Sequence, residues 1–438
     1  MHKAPEESLV RVMGVFGLAA AIVNITIGGG IFRLPANVAG SLGAAAPVAY
    51  VVCAIAMGLI VLCIADAGSR VPLTGGPYAY IGTAFGPYLG FVSGVLLWML
   101  GTFAAAAVST IFASSLGLLL PALGGRYTEA AVLAGALALW SLINARGVGL
   151  GARLNSLATV AKLLPLVLLA VAGLFFIRGD NLQWAASPAP AAVARTSLLL
   201  IFAFAGIEVA LVPSGEVRDT ARTVPRAIAL AMLGITALYI LLQIVAQGIL
   251  GDGLARATMS PLAEAAGMSL GGWARGLLLA GAAVSMFGYI GGMTLSMPRM
   301  LYAFARDGFL PGALAALHPR SHAPQAAIVL QSAITFVLAI SGTFERLAIL
   351  ANVSALVLYL GCALAAWRLR ATGVELSGGA GFRVPFGNLV PVLACIVIAW
   401  LMTGMTMPEW LALLVCLAVA SIIYVITRRA RSAAVSGG

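Results

Sequence analysis

The sequence predicts an all-α protein that crosses a membrane many times. Three observations carry this. Of its 438 residues 62% are hydrophobic and only 9% are charged, whereas soluble domains carry about 25% charged residues. Apolar stretches of about 20 residues, the length that spans hydrocarbon, recur from end to end. The alternating apolar and polar segments of a transmembrane barrel are absent.

The apolar pattern predicts about twelve spans, over residues 12–40, 46–66, 86–119, 128–145, 154–177, 195–214, 225–250, 274–305, 325–342, 346–369, 388–406 and 409–427. The opening stretch MHKAPEESLV lacks the pattern of a cleavable signal, so the first span is expected to be retained. Between spans, roughly seventeen lysines and arginines fall on the N-terminal side of the membrane against roughly seven on the other. The positive-inside rule then predicts both termini in the cytoplasm. Alanine- and arginine-rich usage fits a bacterium with a GC-rich genome, hence a multi-pass protein of the cell (cytoplasmic or inner) membrane. No linker separates a soluble domain, and 1–438 reads as one transmembrane domain. The longest polar connections, 251–273 and 370–387, read as an external cap and an internal loop.

Several function classes are excluded. The net charge of +11 is scattered through short loops, so topology explains it better than nucleic acid does. Cys53, Cys63, Cys362, Cys395 and Cys416 fall in apolar spans without metal-ligand spacing and read as small buried hydrophobes. His2, His318 and His322 lie in loops. No metal or cofactor is expected, and no nucleophile–base set at membrane depth suggests an enzyme. A channel would line a continuous polar path, but the third and eighth spans are largely Ala, Leu, Val and Gly.

Two spans are interrupted. NITIGGGIFRLPAN (24–37) puts Gly28, Gly29 and Gly30 near the middle of the first span, with Pro35 beyond. FAFAGIEVALVPSGE (202–216) puts Gly206 at the middle of the sixth, with Pro213 beyond. These spans begin two five-span halves, about 11–177 and 195–369, and residues 388–427 add two more. Interrupted helices at corresponding positions of two halves point to a transporter's binding site. A helix broken in hydrocarbon exposes N–H groups on one half and C=O groups on the other, and lipid satisfies neither. The amides of Gly29, Gly30 and Ile31 at a half-helix N-terminus suit a carboxylate. The carbonyls of Ile27, Phe202 and Ala203 suit an ammonium. Together they describe a receptor for the head group of an α-amino acid; the alternative is close helix packing. On the first reading Gly29→Leu should abolish amino-acid binding in a protein that still inserts. Asn24, Thr26, Gly28, Ala205 and Gly206 flank the breaks. Trp98 and Thr102 of the third span and Ser285, Tyr289 and Met293 of the eighth are candidates to face the same cavity.

Charged residues within spans are costly. Lys162 lies inside the fifth span, at a cost of about 2.5–3.5 kcal/mol or more unless it snorkels to the edge. Glu208, just past the second break, either carries a coupling proton or ties helices together. Arg33 is expected to snorkel outward. Asp66, Arg70, Arg299, Arg306 and Asp307, at cytoplasmic ends, are expected to form inner-gate ion pairs or anchor helices.

The sequence resembles the amino acid–polyamine–organocation superfamily of permeases over almost its full length. GGGIF (28–32), SRVPLTGGPYAY (69–80), NARGVGLGARLNSLATVAKLLPL (144–166), FAFAGIE (202–208), MPRMLYAFARDGFLP (297–311) and FRVPFG (382–387) carry the resemblance by their order and spacing. It implies a leucine-transporter-like five-plus-five inverted repeat, two further helices and alternating access. It also implies that Lys162 bridges the first and fifth spans where sodium binds in sodium-coupled relatives, that Glu208 senses protons, and that Phe202 closes over the substrate. Met293 stands where the family's arginine–agmatine exchangers carry a tryptophan, and the run Ala104 to Ala107 where they carry an asparagine. The expected substrate is therefore a neutral amino acid; a cationic amino acid or polyamine exchanger is the alternative. The expected partners are that substrate and the lipid bilayer, with a proton or a counter-substrate for coupling.

Overall fold

The computed structural model describes residues 14–71, 76–146, 151–184, 187–206, 220–319, 321, 323–374 and 382–436. Among them there is no strand. The helices are α1 (Val15–Thr26), α2 (Gly30–Leu42), α3 (Ala46–Arg70), α4 (Pro77–Phe85), α5 (Pro87–Leu119), α6 (Arg126–Arg146), α7 (Gly151–Ala172), α8 (Pro190–Phe204), α9 (Thr220–Leu250), α10 (Gly253–Arg256), α11 (Pro261–Leu270), α12 (Gly272–Arg306), α13 (Gln325–Ser341), α14 (Phe344–Ala371), α15 (Leu389–Met402) and α16 (Met407–Ser436).

Seven helical stretches among the described residues are long and apolar enough to cross a membrane: Gly30–Arg70, Pro87–Leu119, Arg126–Ala145, Arg222–Leu250, Gly272–Arg306, Phe344–Ala371 and Met407–Thr427. Five shorter apolar helices accompany them: Val15–Thr26, Lys162–Phe176, Pro190–Phe204, Gln325–Ser341 and Leu389–Met402. Two of these are short because the chain leaves the helix early. The 12 residues of α1 rise about 18 Å and the 15 of α8 about 22 Å, against a hydrocarbon core of about 30 Å. The expected sixth span, 195–214, is described only as far as Gly206.

The long helix α5 lies at the centre, packed against α12, α13 and α14. In turn α14 packs on α3 and α8, α1 on α9, and α2 on α8. Large apolar side chains point outward, among them Leu164 and Val171 on α7 and Leu411 and Leu414 on α16. A water-soluble protein would hide such a surface; hydrocarbon solvates it. Among these helices packing depends on close fit rather than on the hydrophobic effect.

Two long helices start in the same way. The nine-residue α4 turns at Gly86 (φ 93°, ψ 176°) into α5, and the ten-residue α11 turns at Gly271 (φ 95°, ψ 178°) into α12. That backbone region is open essentially to glycine alone. The expected third span, 86–119, coincides with α5, and α4 precedes it as a separate short helix before the glycine corner. The connection read as a cap, 251–273, holds α10 and α11.

Charges tie the helix ends. Asp66, almost fully buried at the end of α3, pairs with Arg70 Nε at 3.2 Å and Arg370 Nη2 at 3.4 Å. It also accepts from the Val384 amide at 3.1 Å. Arg70 donates on to the Val374 carbonyl and Arg370 to the Val384 carbonyl. One carboxylate thus joins α3, α14 and the segment before α15. Arg299 and Arg306 do not add to this cluster. Arg299 donates to the Leu295 carbonyl of its own helix, and Arg306 pairs with its neighbour Asp307 at an exposed site. At the start of α8, Arg195 holds Glu409 of α16 through two 2.7 Å hydrogen bonds.

Removing the Asp66 carboxylate leaves two arginines facing each other. For Asp66→Ala we expect a stability loss of about 3–5 kcal/mol, read as a lower unfolding temperature of the purified protein. An unchanged temperature would mean that water already screens the cluster.

Candidate functional site

The first break forms at Ile27–Gly29. The Gly28 amide folds back to the Thr26 carbonyl at 2.7 Å, which ends α1, and the Phe32 amide bonds to the Gly29 carbonyl as α2 begins. Among the described residues no acceptor meets the amides of Gly29, Gly30 and Ile31. They form the positive end of α2.

Two of the three glycines are required by their neighbours. A Cβ on Gly30 would lie 2.8 Å from the Ala203 Cα, so α2 and α8 touch backbone to backbone here. A Cβ on Gly29 would lie 2.9 Å from Met286 Sδ and 3.0 Å from Ile111 Cδ1, which brings α12 and α5 to the same point. Gly28 differs: a Cβ there would meet nothing nearer than the Thr26 carbonyl at 3.8 Å. The leucine test expected at Gly29 is therefore corrected. A leucine there is overpacked against Met286 and Ile111, and its effect on binding would not isolate the amide cradle.

The second break lies against the first. α8 ends at Phe204, the Ala205 amide bonds to the Ile201 carbonyl, and Gly206 follows with φ +110°. Its missing Cβ would lie 2.9 Å from Ile25 Cγ2 and 3.3 Å from the Ile25 carbonyl. The structure thus brings together Thr26 to Ile31 with Phe202 to Gly206. Glu208 lies outside the described residues.

The carbonyl end needs a correction too. The Ala203 carbonyl was expected to take an ammonium, but the Tyr239 hydroxyl of α9 donates to it at 2.9 Å. The same hydroxyl lies 3.3 Å from the Thr26 carbonyl. Lys162 Nζ donates to the Asn24 carbonyl at 2.5 Å and so joins α7 to α1. Its side chain is buried rather than drawn to an edge. Among the described residues no donor meets the carbonyls of Ile27 and Phe202. Tyr239 was missed in the sequence, although a signal exists. In the apolar helix α9, Tyr239, Gln243 and Gln247 fall at four-residue intervals, on one face. Gln243 accepts from Tyr50 at 3.0 Å and donates to the Pro35 carbonyl of α2 at 3.4 Å, and Gln247 donates to the Asn181 carbonyl.

Arg33 does not snorkel outward. It is buried, with Nη1 donating to Ser114 Oγ at 3.4 Å and to the Met259 carbonyl at 3.3 Å. Glu345 lies 3.9 Å from its Nε, and its guanidinium lies over the Phe344 ring at 5.8 Å. Acceptors from α5, α14 and the segment before α11 converge on it, so leaving the bilayer would gain nothing. Phe344 in turn meets Phe202 edge-on, with centroids 5.4 Å apart.

The remaining candidates divide. Thr26 Oγ1 is buried without a partner among the described residues. Ser285 is buried beside Met286, the α12 side chain that reaches Gly29. Met293 and Tyr289 are half-buried on α12. Met293, seven residues from Met286, shares its face two turns away. Trp98 and Thr102 go elsewhere: Trp98 Nε1 donates to Gln331 Oε1 at 2.8 Å, and Gln331 Nε2 donates to Thr102 Oγ1 at 3.0 Å. They bind α5 to α13, and the expected cavity-facing phase of α5 was wrong at these two positions.

A sequence model of the amino acid permease family matches residues 13–433. The chain belongs to that family. It falls within the amino acid–polyamine–organocation superfamily, as its motifs indicated. This permease is 26% identical to the methylthioribose transporter of Bacillus subtilis (strain 168), over 98% of its own length and 96% of that protein's. It is 25% identical to the branched-chain amino acid permease BcaP of the same organism, over 98% and 95%. It is 28% identical to the arginine/agmatine antiporter of Chlamydia caviae, over 74% and 70%.

The three glycines of this permease should respond differently to alanine. Gly30→Ala pushes α2 off α8 and should cost about 1–3 kcal/mol; Gly28→Ala, with open space for its methyl group, should leave the unfolding temperature unchanged. Equal effects at the two positions would show that the close contact of α2 with α8 is not what requires Gly30.

Proposed function

We propose that this permease is a sodium-independent secondary transporter of neutral amino acids that works by alternating access, as an exchanger or coupled to protons. The observation that carries it is the meeting of two helix breaks. Three amides at the start of α2 that have no acceptor among the described residues lie beside the end of α8, in hydrocarbon-facing architecture where backbone groups need partners. A carboxylate suits the amides and an ammonium suits the carbonyls of Ile27 and Phe202. Phe202, backed by Phe344, suits an aromatic cover.

The side-chain space argues for a neutral substrate. Around the break the neighbours are Val108, Ile111 and Met286, and the run Ala104 to Ala107 is buried. Among the described residues no carboxylate contacts these positions. The branched-chain amino acid permease among the relatives fits this reading, and the arginine antiporter keeps a cationic substrate as the alternative. Lys162 supports sodium independence, because its ammonium already occupies the free carbonyl end of α1. The matched glycine corners at Gly86 and Gly271 support the five-plus-five repeat over 11–177 and 195–369, with about twelve spans in all. Both termini are assigned to the cytoplasm of a cell inner membrane on the distribution of arginine.

Thermal unfolding against a panel of amino acids, agmatine and putrescine tests the substrate. A ligand at 100 times its dissociation constant should stabilise the protein by about 2.7 kcal/mol. Stabilisation by small neutral amino acids is expected; stabilisation by arginine or polyamines alone would overturn the neutral assignment. In proteoliposomes, replacing sodium with choline should leave uptake unchanged. A steep sodium dependence would refute the role given to Lys162.

A further inference from the structure

The C-terminal ends of two half-helices converge on one hydroxyl group. The Tyr239 side chain is fully buried, edge-on to Phe204 at 5.2 Å and to Tyr50 at 6.4 Å. Its oxygen lies 2.9 Å from the Ala203 carbonyl of α8 and 3.3 Å from the Thr26 carbonyl of α1. Both carbonyls belong to last turns that lack intrahelical donors. Two such carbonyl dipoles brought together repel. The Thr26 carbonyl already accepts from the Gly28 amide at 2.7 Å, so the Tyr239 O–H gives the Ala203 carbonyl its donor and, placed between the two oxygens, sets their separation.

We infer that Tyr239 is a positioning residue for the substrate's ammonium, an inference that rests on the amino-acid reading above. With Thr26 and Ala203 held by Tyr239 and Asn24 held by Lys162, the carbonyls adjoining them in the chain, Ile27 and Phe202, are left for the ligand. Those two lie on different helices. Their spacing is fixed only as well as the two helix ends are fixed to each other, and Tyr239 makes that link without itself reaching the ligand. The neighbours on its face of α9 strengthen the brace: Gln243, one turn on, takes hold of Tyr50 of α3 and of Pro35 in α2.

The test compares leucine with 4-methylpentanoate, its analogue without the amino group, as competing ligands of wild type and of Tyr239→Phe in the full-length protein. The phenylalanine keeps the ring and its packing and removes only the hydroxyl group. We expect the wild type to prefer leucine, and the variant to lose about tenfold of that preference, as when misplacement of the two helix ends costs the ammonium one of its carbonyl hydrogen bonds. A merely structural role would lower the unfolding temperature and weaken both ligands alike. Replacement of Tyr239 by 4-aminophenylalanine restores an N–H donor at the same place and should restore the preference, whether or not Tyr239→Phe folds. A phenylalanine variant with the full preference, or a 4-amino variant without it, would overturn the inference while leaving the amino-acid reading intact. A wild type that does not distinguish leucine from 4-methylpentanoate would overturn the amino-acid reading, and this assignment with it.

Discussion

A backbone that leaves its helix inside hydrocarbon must find partners for the groups it frees, and the centre of this permease is organised by that constraint. Each unpaired amide or carbonyl there costs several kcal/mol. The α1–α2 break frees groups at two helix ends, and the end of α8 adds a third set. Side chains answer most of the carbonyls: Lys162 serves Asn24, and Tyr239 serves Thr26 and Ala203. The amides of Gly29 to Ile31 are left unanswered by the described residues. Among the described residues the carbonyls are thus largely capped, with those of Ile27 and Phe202 left, while the amides stay open, and this asymmetry is what the proposed binding of an amino-acid head group draws on.

The surrounding packing follows from the same requirement. For α2 to approach α8 closely enough, neither helix can carry a side chain at the contact, and Gly30 meets the Ala203 backbone directly. α5 and α12 then close over the other side through Ile111 and Met286. Beyond the break, Phe202, Phe344 and Arg33 form a stack in which a buried guanidinium is held by long contacts, 3.3 Å and 3.4 Å to neutral acceptors and 3.9 Å to Glu345. At the end of α3 the Asp66 cluster is tighter, with 3.1 Å and 3.2 Å contacts to one carboxylate. Contacts near the limit of hydrogen bonding contribute little, so the Arg33 stack is the more weakly held of the two.

What was legible in the sequence was what a single residue type decides. Glycine triplets and mid-span glycines have few uses in a membrane helix, so both breaks could be located, and composition alone required helices. What was not legible depended on partners distant in the chain. Arg33 reads as a snorkelling residue because nothing near it in sequence shows that Ser114 and Met259 converge on it. Trp98 and Thr102 read as cavity residues because helical phase in α5, apolar on nearly every face, has no internal reference; only Gln331 on α13 fixes it. Tyr239 was overlooked for another reason. An aromatic residue in an apolar helix looks like core, and its polar tip matters only because Gln243 and Gln247 continue the same stripe.

Gly28 separates packing from function at the break. Gly29 and Gly30 are explained by Met286 and Ala203, and Gly206 by its φ of +110° and by Ile25. None of these reasons applies to Gly28. Its φ is not positive, and its amide is already spent on the Thr26 carbonyl. A Cβ there would touch nothing closer than 3.8 Å. Neither sterics nor backbone conformation demands a glycine at this position, so its physical effect is the space it leaves. In the chain Gly28 directly precedes Gly29 and Gly30, whose amides have no acceptor among the described residues. On the proposed reading, open volume beside donors without an acceptor among the described residues is what a carboxylate ligand would need, and any side chain at Gly28 would subtract from it.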